Sequence, residues 1–348
     1  MLQYRPPFWL PGGNLQTIWP ALWSRRVAGM PIAYRRERWT TPDGDFVDAD
    51  WLDDTASTPE GIALPTAPEP APAPEPARGA ACAPLLVLFH GLEGSSRSAY
   101  SEAFAGVARA RGWRFVVPHF RGCSGEINLA PRAYHSGDYE EVGGILARLR
   151  ERHPGPLLAV GISLGGNALM RWAAEAGASA SAVANGIAAV CSPLDLAAGS
   201  QAIGRGFNRW VYTTFFLRTM KPKALAKLAQ YPGLFDHELL ASARDLYDFD
   251  DLFTAPLHGF RSADDYYARA SARPHLHRIR IPALALHARN DPFVPAGSLP
   301  VVGEVGPCVT LWQPGAGGHV GFPRGTPPGD VRAMPEAVST WLAQQTGV

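Results

Sequence analysis

The sequence predicts an α/β protein whose central sheet is mainly parallel and covered by helices on both faces. Two observations carry that expectation. Short apolar runs at 85–89, 115–117 and 157–160 alternate with helix-length stretches at 98–111, 139–150 and 163–176, as a parallel sheet with crossover helices requires. The 348 residues, 46% of them hydrophobic, are enough for one large core, and a single domain over 1–348 is expected.

Each element follows from its local pattern. Phe46-Val47-Asp48-Ala49-Asp50-Trp51-Leu52 alternates well enough for an edge strand, and Leu85-Leu86-Val87-Leu88-Phe89 is the continuous run of a buried one. Further strands are expected at 187–190, 283–286 and 309–311, with a closing helix near 334–344. The roughly ninety residues between the first two of these hold no clear strand, so 193–279 reads as a helical insertion placed as a lid. Residues 57–84 are rich in Pro, Ala and Glu, a composition of extended, solvated chain, and read as a mobile loop joining two strands. Residues 1–30 are aromatic and interrupted by Pro6, Pro7, Pro11 and Pro20, which predicts an irregular arm packed on the domain, or touching lipid if exposed.

Composition narrows the function. With 32 basic against 31 acidic residues, the net charge of +1 gives no overall pull toward nucleic acid or an anionic membrane, so a small-molecule partner is expected. Cys82, Cys123, Cys191 and Cys308 are scattered with no C-x-x-C pair, and His275-Leu276-His277 lacks a third ligand nearby; neither a metal site nor a disulfide framework is expected, and no cofactor is implied. No basic run with an apolar stretch marks the first residues, and no segment has the ~18 apolar residues of a membrane span. A soluble, cytoplasmic protein is expected, with peripheral lipid contact left open.

The chemistry is carried by Gly161-Ile162-Ser163-Leu164-Gly165, which follows the strand at 157–160 and opens a helix. This is the setting of a nucleophile elbow, where a tight strand-to-helix turn exposes the serine and tolerates only glycine beside it. A serine hydroxyl needs an adjacent base held by a carboxylate. In the α/β-hydrolase fold these partners follow the serine in the order Asp, His, each after a strand. Asp291, in Asn290-Asp291-Pro292, follows the strand at 283–286, and His319, in Gly317-Gly318-His319, follows the strand at 309–311. His287 falls at a strand end and reads as structural. His90-Gly91-Leu92 follows the strand at 85–89, so the N–H groups of Leu92 and Leu164 are the candidate oxyanion donors, with Gly91, Gly161 and Gly165 as the glycines of the two turns.

Several segments beyond the elbow make the chain similar to the YheT-like branch of the α/β-hydrolases, which are related to membrane-anchored lipid hydrolases of animals. They are 7–17 (Pro-Phe-Trp-Leu-Pro-Gly-Gly-Asn-Leu-Gln-Thr), 90–96, 120–126, 134–138, and Gly166-Asn167. The resemblance implies Ser163, Asp291 and His319 as the triad and activity on short acyl esters or acylglycerols. Two features depart from it: His119 stands where Asn is expected before Phe-Arg-Gly, and the loop at 57–84 is longer.

These observations predict a serine hydrolase that cleaves carboxylic esters through an acyl-enzyme. The same residues fit an acyltransferase or thioesterase, and the scaffold also fits a non-catalytic binding protein. Apolar and aromatic residues of the insertion at 210–212, 215–217 and 252–253 suggest an acyl pocket or a cap that only completes the core, while Lys221, Lys223 and Lys227 read as a solvated helix face. Acyl length, alcohol group and oligomeric state are not encoded by these motifs.

Overall fold

The structure is a computed structural model describing residues 4–53 and 83–348. The Pro/Ala-rich loop, save its last two residues, lies outside them. Strands β1 (Tyr34–Thr40), β2 (Phe46–Leu52), β3 (Leu85–Phe89), β4 (Arg114–Pro118), β5 (Leu157–Ile162), β6 (Gly186–Val190), β7 (Ala283–Leu286) and β8 (Val309–Trp312) form one sheet in the order β1-β2-β4-β3-β5-β6-β7-β8. β1 and β2 are antiparallel to each other and β2 to β4; every pairing from β4 to β8 is parallel. Helices α1 (Gly12–Leu22), α2 (Ala99–Ala110), α3 (Tyr139–Arg152), α4 (Leu164–Ala176) and α8 (Ala333–Thr346) surround it, with α5 (Leu196–Ile203), α6 (Thr214–Gln230) and α7 (Ala263–Ala270) between β6 and β7.

The sheet separates two hydrophobic clusters. Val87, Phe89, Ala159 and Ile187 face one containing Leu146, Leu169 and Trp172 from α3 and α4. Leu86, Leu88, Val160 and Leu284 face another containing Phe104 from α2 and Val338 and Leu342 from α8. Successive residues alternate sides, so a strand buried on both faces must be apolar throughout, which is why these runs are continuous.

Two expectations are corrected. β2 is not an edge strand, because β1 pairs along its whole length. Tyr-Arg-Arg-Glu-Arg-Trp-Thr has no apolar run, yet Arg36 faces Asp50 and Arg38 faces Asp48 in register, each pair joined by two hydrogen bonds of 2.7–2.9 Å. Charge-assisted cross-strand pairs replace apolar contact on this edge, and the charges also guard it against further pairing. The N-terminal segment is not irregular throughout: Gly12–Leu22 is helical. Pro11 occupies the N-cap and Pro20 lies so near the end that it forfeits little of the hydrogen-bond ladder.

Candidate active site

The C-terminal ends of β3, β5, β6, β7 and β8 converge on one spot, and the backbone there is strained. Five non-glycine residues with positive φ lie in the loops leaving these ends: Glu93 (55°), Ser163 (50°), Cys191 (49°), Val320 (63°) and Phe322 (41°). Ser163 sits between β5 and α4, its N–H bonded to Val190 O at 2.9 Å. A Cβ on Gly161 would lie 2.4 Å from Gly166 Cα, and one on Gly165 would lie 2.5 Å from His90 O, so the turn closes only with glycine at both positions. Gly91 brings the β3 loop against the serine, 3.2 Å separating Ser163 Cβ from the place a Cβ would occupy.

Ser163 Oγ is 3.1 Å from His319 Nε2, and His319 Nδ1 is 2.9 and 3.1 Å from the two oxygens of Asp291. The Asp291 carboxylate is fully buried and accepts the N–H groups of Phe293 (2.7 Å) and Val294 (3.2 Å), which fix its orientation. With Nδ1–H directed at Asp291, Nε2 carries the lone pair and faces the serine hydroxyl. The Phe293 ring packs over the imidazole with centroids 4.1 Å apart. His287 lies apart from this file: it is buried, its Nε2 is 2.8 Å from Ser192 O, and burial lowers its pKa.

Leu92 and Leu164 line the same cavity as Ser163 and His319. The loop carrying Leu92 is held by His90, a residue the sequence offered only as part of a turn. His90 Nε2 accepts the Phe120 N–H at 3.0 Å while Nδ1 faces Gly91 O at 2.8 Å. Complete burial, with His119 nearby, lowers its pKa to about 3, so the ring stays neutral and keeps both roles. Tyr100 Oη accepts the Gly91 N–H, and Tyr134 Oη accepts that of Glu93. His119 reaches this loop indirectly: it is 2.9 Å from Asp50, which also accepts the hydroxyl of Ser96.

The N-terminal helix supplies a support that the spacing of Ser163, Asp291 and His319 does not reveal. Gln16 Oε1 accepts both Asn290 Nδ2–H and the Gly317 N–H at 2.9 Å, tying the loop of Asp291 to that of His319. Thr17 Oγ1 accepts the His319 N–H at 2.8 Å, and Asn290 Oδ1 that of Gly318 at 3.0 Å. On the far side, the Cys191 thiol accepts the Val320 N–H. The ligand atoms of Cys191, Asp291 and His319 lie within 4.8 Å of one another, but a metal there does not fit. Burial and the charge of Asp291 push the thiol pKa well up, and Asp291 and His319 already engage each other.

A cavity of about 170 Å³ opens onto Ser163, walled chiefly by apolar side chains including Phe216 and Phe253 of the insertion. Charged and polar groups also line its wall, Lys223 and Asp250 among them. Lys223 Nζ pairs with Glu93 (2.9 Å), which also accepts the Tyr134 hydroxyl. Asp250 accepts hydroxyls from Thr254 and Tyr267, and burial raises its pKa to about 6. The lysines are therefore not a solvated face. Lys223 is ion-paired, Lys227 is buried against Ala130 O and Gln230, and Lys221 bonds to Ala241 O and Ala243 O. The helical pattern misleads because α6 turns residues inward on more than one side. Asn167, after the elbow, binds Ser136 O, Ala270 O and the Ala272 N–H, joining elbow, 134–138 loop and insertion.

Comparison with known proteins shows what the chain is similar to. The family described as alpha/beta hydrolase fold matches residues 84–326. YheT of Escherichia coli (strain K12), whose name carries a provisional esterase assignment, is 41% identical over 90% of this chain and 85% of its own length. Phospholipase ABHD3 of Mus musculus is 28% identical over 89% of this chain and 74% of its own. Among solved structures, the esterase Pf2001 of Pyrococcus furiosus superposes with a TM-score of 0.51 at 16% identity, covering 92% of this chain and 98% of that one, a likeness of fold.

Proposed function

Because the chain belongs to the α/β-hydrolase family, in its YheT-like branch, we propose that it is a serine esterase cleaving carboxylic esters, short acyl esters or acylglycerols among them. The observation that carries this reading is the unbroken file from Ser163 Oγ through His319 to Asp291 at the mouth of an apolar cavity.

In this mechanism Ser163 Oγ gives its proton to His319 Nε2 as it bonds to the ester carbonyl carbon. Asp291 holds Nδ1–H and stabilises the imidazolium, while the Leu92 and Leu164 N–H groups receive the charge on the carbonyl oxygen. The C–O bond to the alcohol then breaks, the alcohol leaves with the proton from Nε2, and an acyl-enzyme remains. Water, deprotonated by the same imidazole, releases the acid and restores Ser163. Apolar walls suit the acyl chain. The name of Phospholipase ABHD3 supports an acyl ester as the substrate class.

A panel of p-nitrophenyl esters of increasing acyl length, assayed with and without a primary alcohol, tests the reading. Turnover with free acid as the main product is expected. Alkyl ester as the main product would replace hydrolysis by acyl transfer, and a folded protein inert to every ester would overturn the assignment.

A further inference from the structure

The insertion carries a surface whose make-up does not follow from the cavity beneath it. From Leu196 to Phe235 the sequence has six basic residues (Arg205, Arg209, Arg218, Lys221, Lys223 and Lys227) and no acidic one, in a chain whose net charge is only +1. The three lysines are engaged as described above. Arg205, Arg209 and Arg218 are exposed, and among the described residues they have no ion pair or side-chain hydrogen bond.

The same stretch is helical from Gly206 onward, passing through a wide turn at Arg209–Thr213 into α6. Tyr212, Phe216, Met220 and Lys223, spaced by four, four and three, turn inward: Tyr212 is buried and the other three line the cavity. Phe207, Trp210, Val211 and Phe215, spaced by three, one and four, turn outward and are 54%, 81%, 36% and 62% exposed. Two aromatic faces on one helical run cannot both be explained by packing on the core. Large aromatics left in water and flanked by unpaired arginines are the composition of a helix lying in a lipid interface, its rings among the acyl chains and its cations at the headgroups.

We infer that this outward face docks the protein on an anionic lipid bilayer, with Phe207, Trp210 and Phe215 inserting and Arg205, Arg209 and Arg218 meeting the headgroups. Charge selects this occupant. A second copy placed on the face about a two-fold axis would set arginine against arginine, whereas an anionic membrane is complementary to it. The described ends of β2 and β3 at Leu52 and Leu85 lie at the end of the sheet opposite Ser163. Docking here would hold the helix that walls the cavity against a lipid surface. The inference stands whether or not the esterase reading does.

Co-sedimentation with vesicles tests it, using phosphatidylcholine alone and equimolar phosphatidylcholine and phosphatidylglycerol. The intact chain should bind the anionic vesicles at least about tenfold more tightly than the neutral ones, with binding that weakens as salt is added. The triple variants Phe207→Ser/Trp210→Ser/Phe215→Ser and Arg205→Gln/Arg209→Gln/Arg218→Gln should each lose about tenfold or more with an unchanged unfolding midpoint. An intact chain that stays in the supernatant with both vesicles, or that binds both alike, would overturn the proposal. So would variants that bind as the wild type does. Concentration-dependent self-association in sedimentation velocity, abolished by the aromatic variant, would assign the face to a second copy instead.

Discussion

The sheet end that holds Ser163 and the insertion that covers it are stabilised in different ways. Around the serine, strands buried on both faces and strained turns leave Asp291 and His319 each held by several neighbours at once. Asp291 accepts two backbone N–H groups, and His319 is fastened through its own N–H and through the flanking glycines. The insertion meets that scaffold through long-range links between single side chains and loops, among them Lys223 to Glu93, Tyr212 to Asn14, Asn208 to Pro292 and Asn167 to Ala270, while its last turns, with Leu276 and Ile279, join the main core. The contrast teaches where precision and adaptability reside. The arrangement of Ser163, His319 and Asp291 belongs to the sheet end, and much of the cavity wall to the insertion.

Substitutions can break that division or sharpen it. The largest effect is expected for Ser163→Ala, which should lower ester turnover by ~10⁴ or more while leaving the unfolding midpoint intact, since it removes only an oxygen at a turn already formed. Gln16→Ala is next. It leaves the Gly317 N–H and the Asn290 amide short of an acceptor at a buried site, and should lower kcat by about 10–100-fold with little change in KM. A change confined to thermal stability would assign Gln16 to the scaffold alone.

Lys223→Met should cost less, about tenfold in kcat/KM, because it frees a carboxylate on the residue after Leu92. Adding Glu93→Gln should recover part of the loss, and strictly additive losses would show that the pair does not couple the insertion to the loop of Leu92. The smallest effect on activity is expected from Asp250→Asn, whose signature is in stability. Burial raises the Asp250 pKa from 3.8 to about 6, so the folded state holds a proton that the unfolded state has released between these values. Wild-type stability therefore falls as pH rises from about 4 to 6, by up to about 3 kcal/mol. The variant should lack that fall, and parallel stability curves in denaturant titrations across this range would contradict it.

How far the sequence reveals this molecule depends on whether a residue acts through its own pattern or through distant partners. β3 to β8 are legible because strands buried on both faces must be continuous apolar runs. Ser163, Asp291 and His319 are legible because elbow chemistry and loop position constrain them independently. β1 is hidden because its pairing rests on Arg36 and Arg38 meeting Asp50 and Asp48, which no periodicity in 34–40 announces. α1 is hidden by its prolines, and nothing in the pattern of 12–22 announces that Gln16 and Thr17 reach the loops of Asp291 and His319. The role of His90 depends on the Phe120 N–H, and that of Lys223 on Glu93, contacts 30 and 130 residues away in the chain. Within α6, a helix lined on two faces gives no single stripe to read, and for that reason its lysines read as solvated.

The central claim is that Ser163 is an activated nucleophile. Labelling the purified protein with a fluorophosphonate probe, wild type beside Ser163→Ala and His319→Ala, tests it most directly. The account predicts stoichiometric labelling of the wild type on Ser163, none in Ser163→Ala and a rate reduced by orders of magnitude in His319→Ala. Labelling that persists in Ser163→Ala, or a folded wild type that the probe does not label, would contradict it.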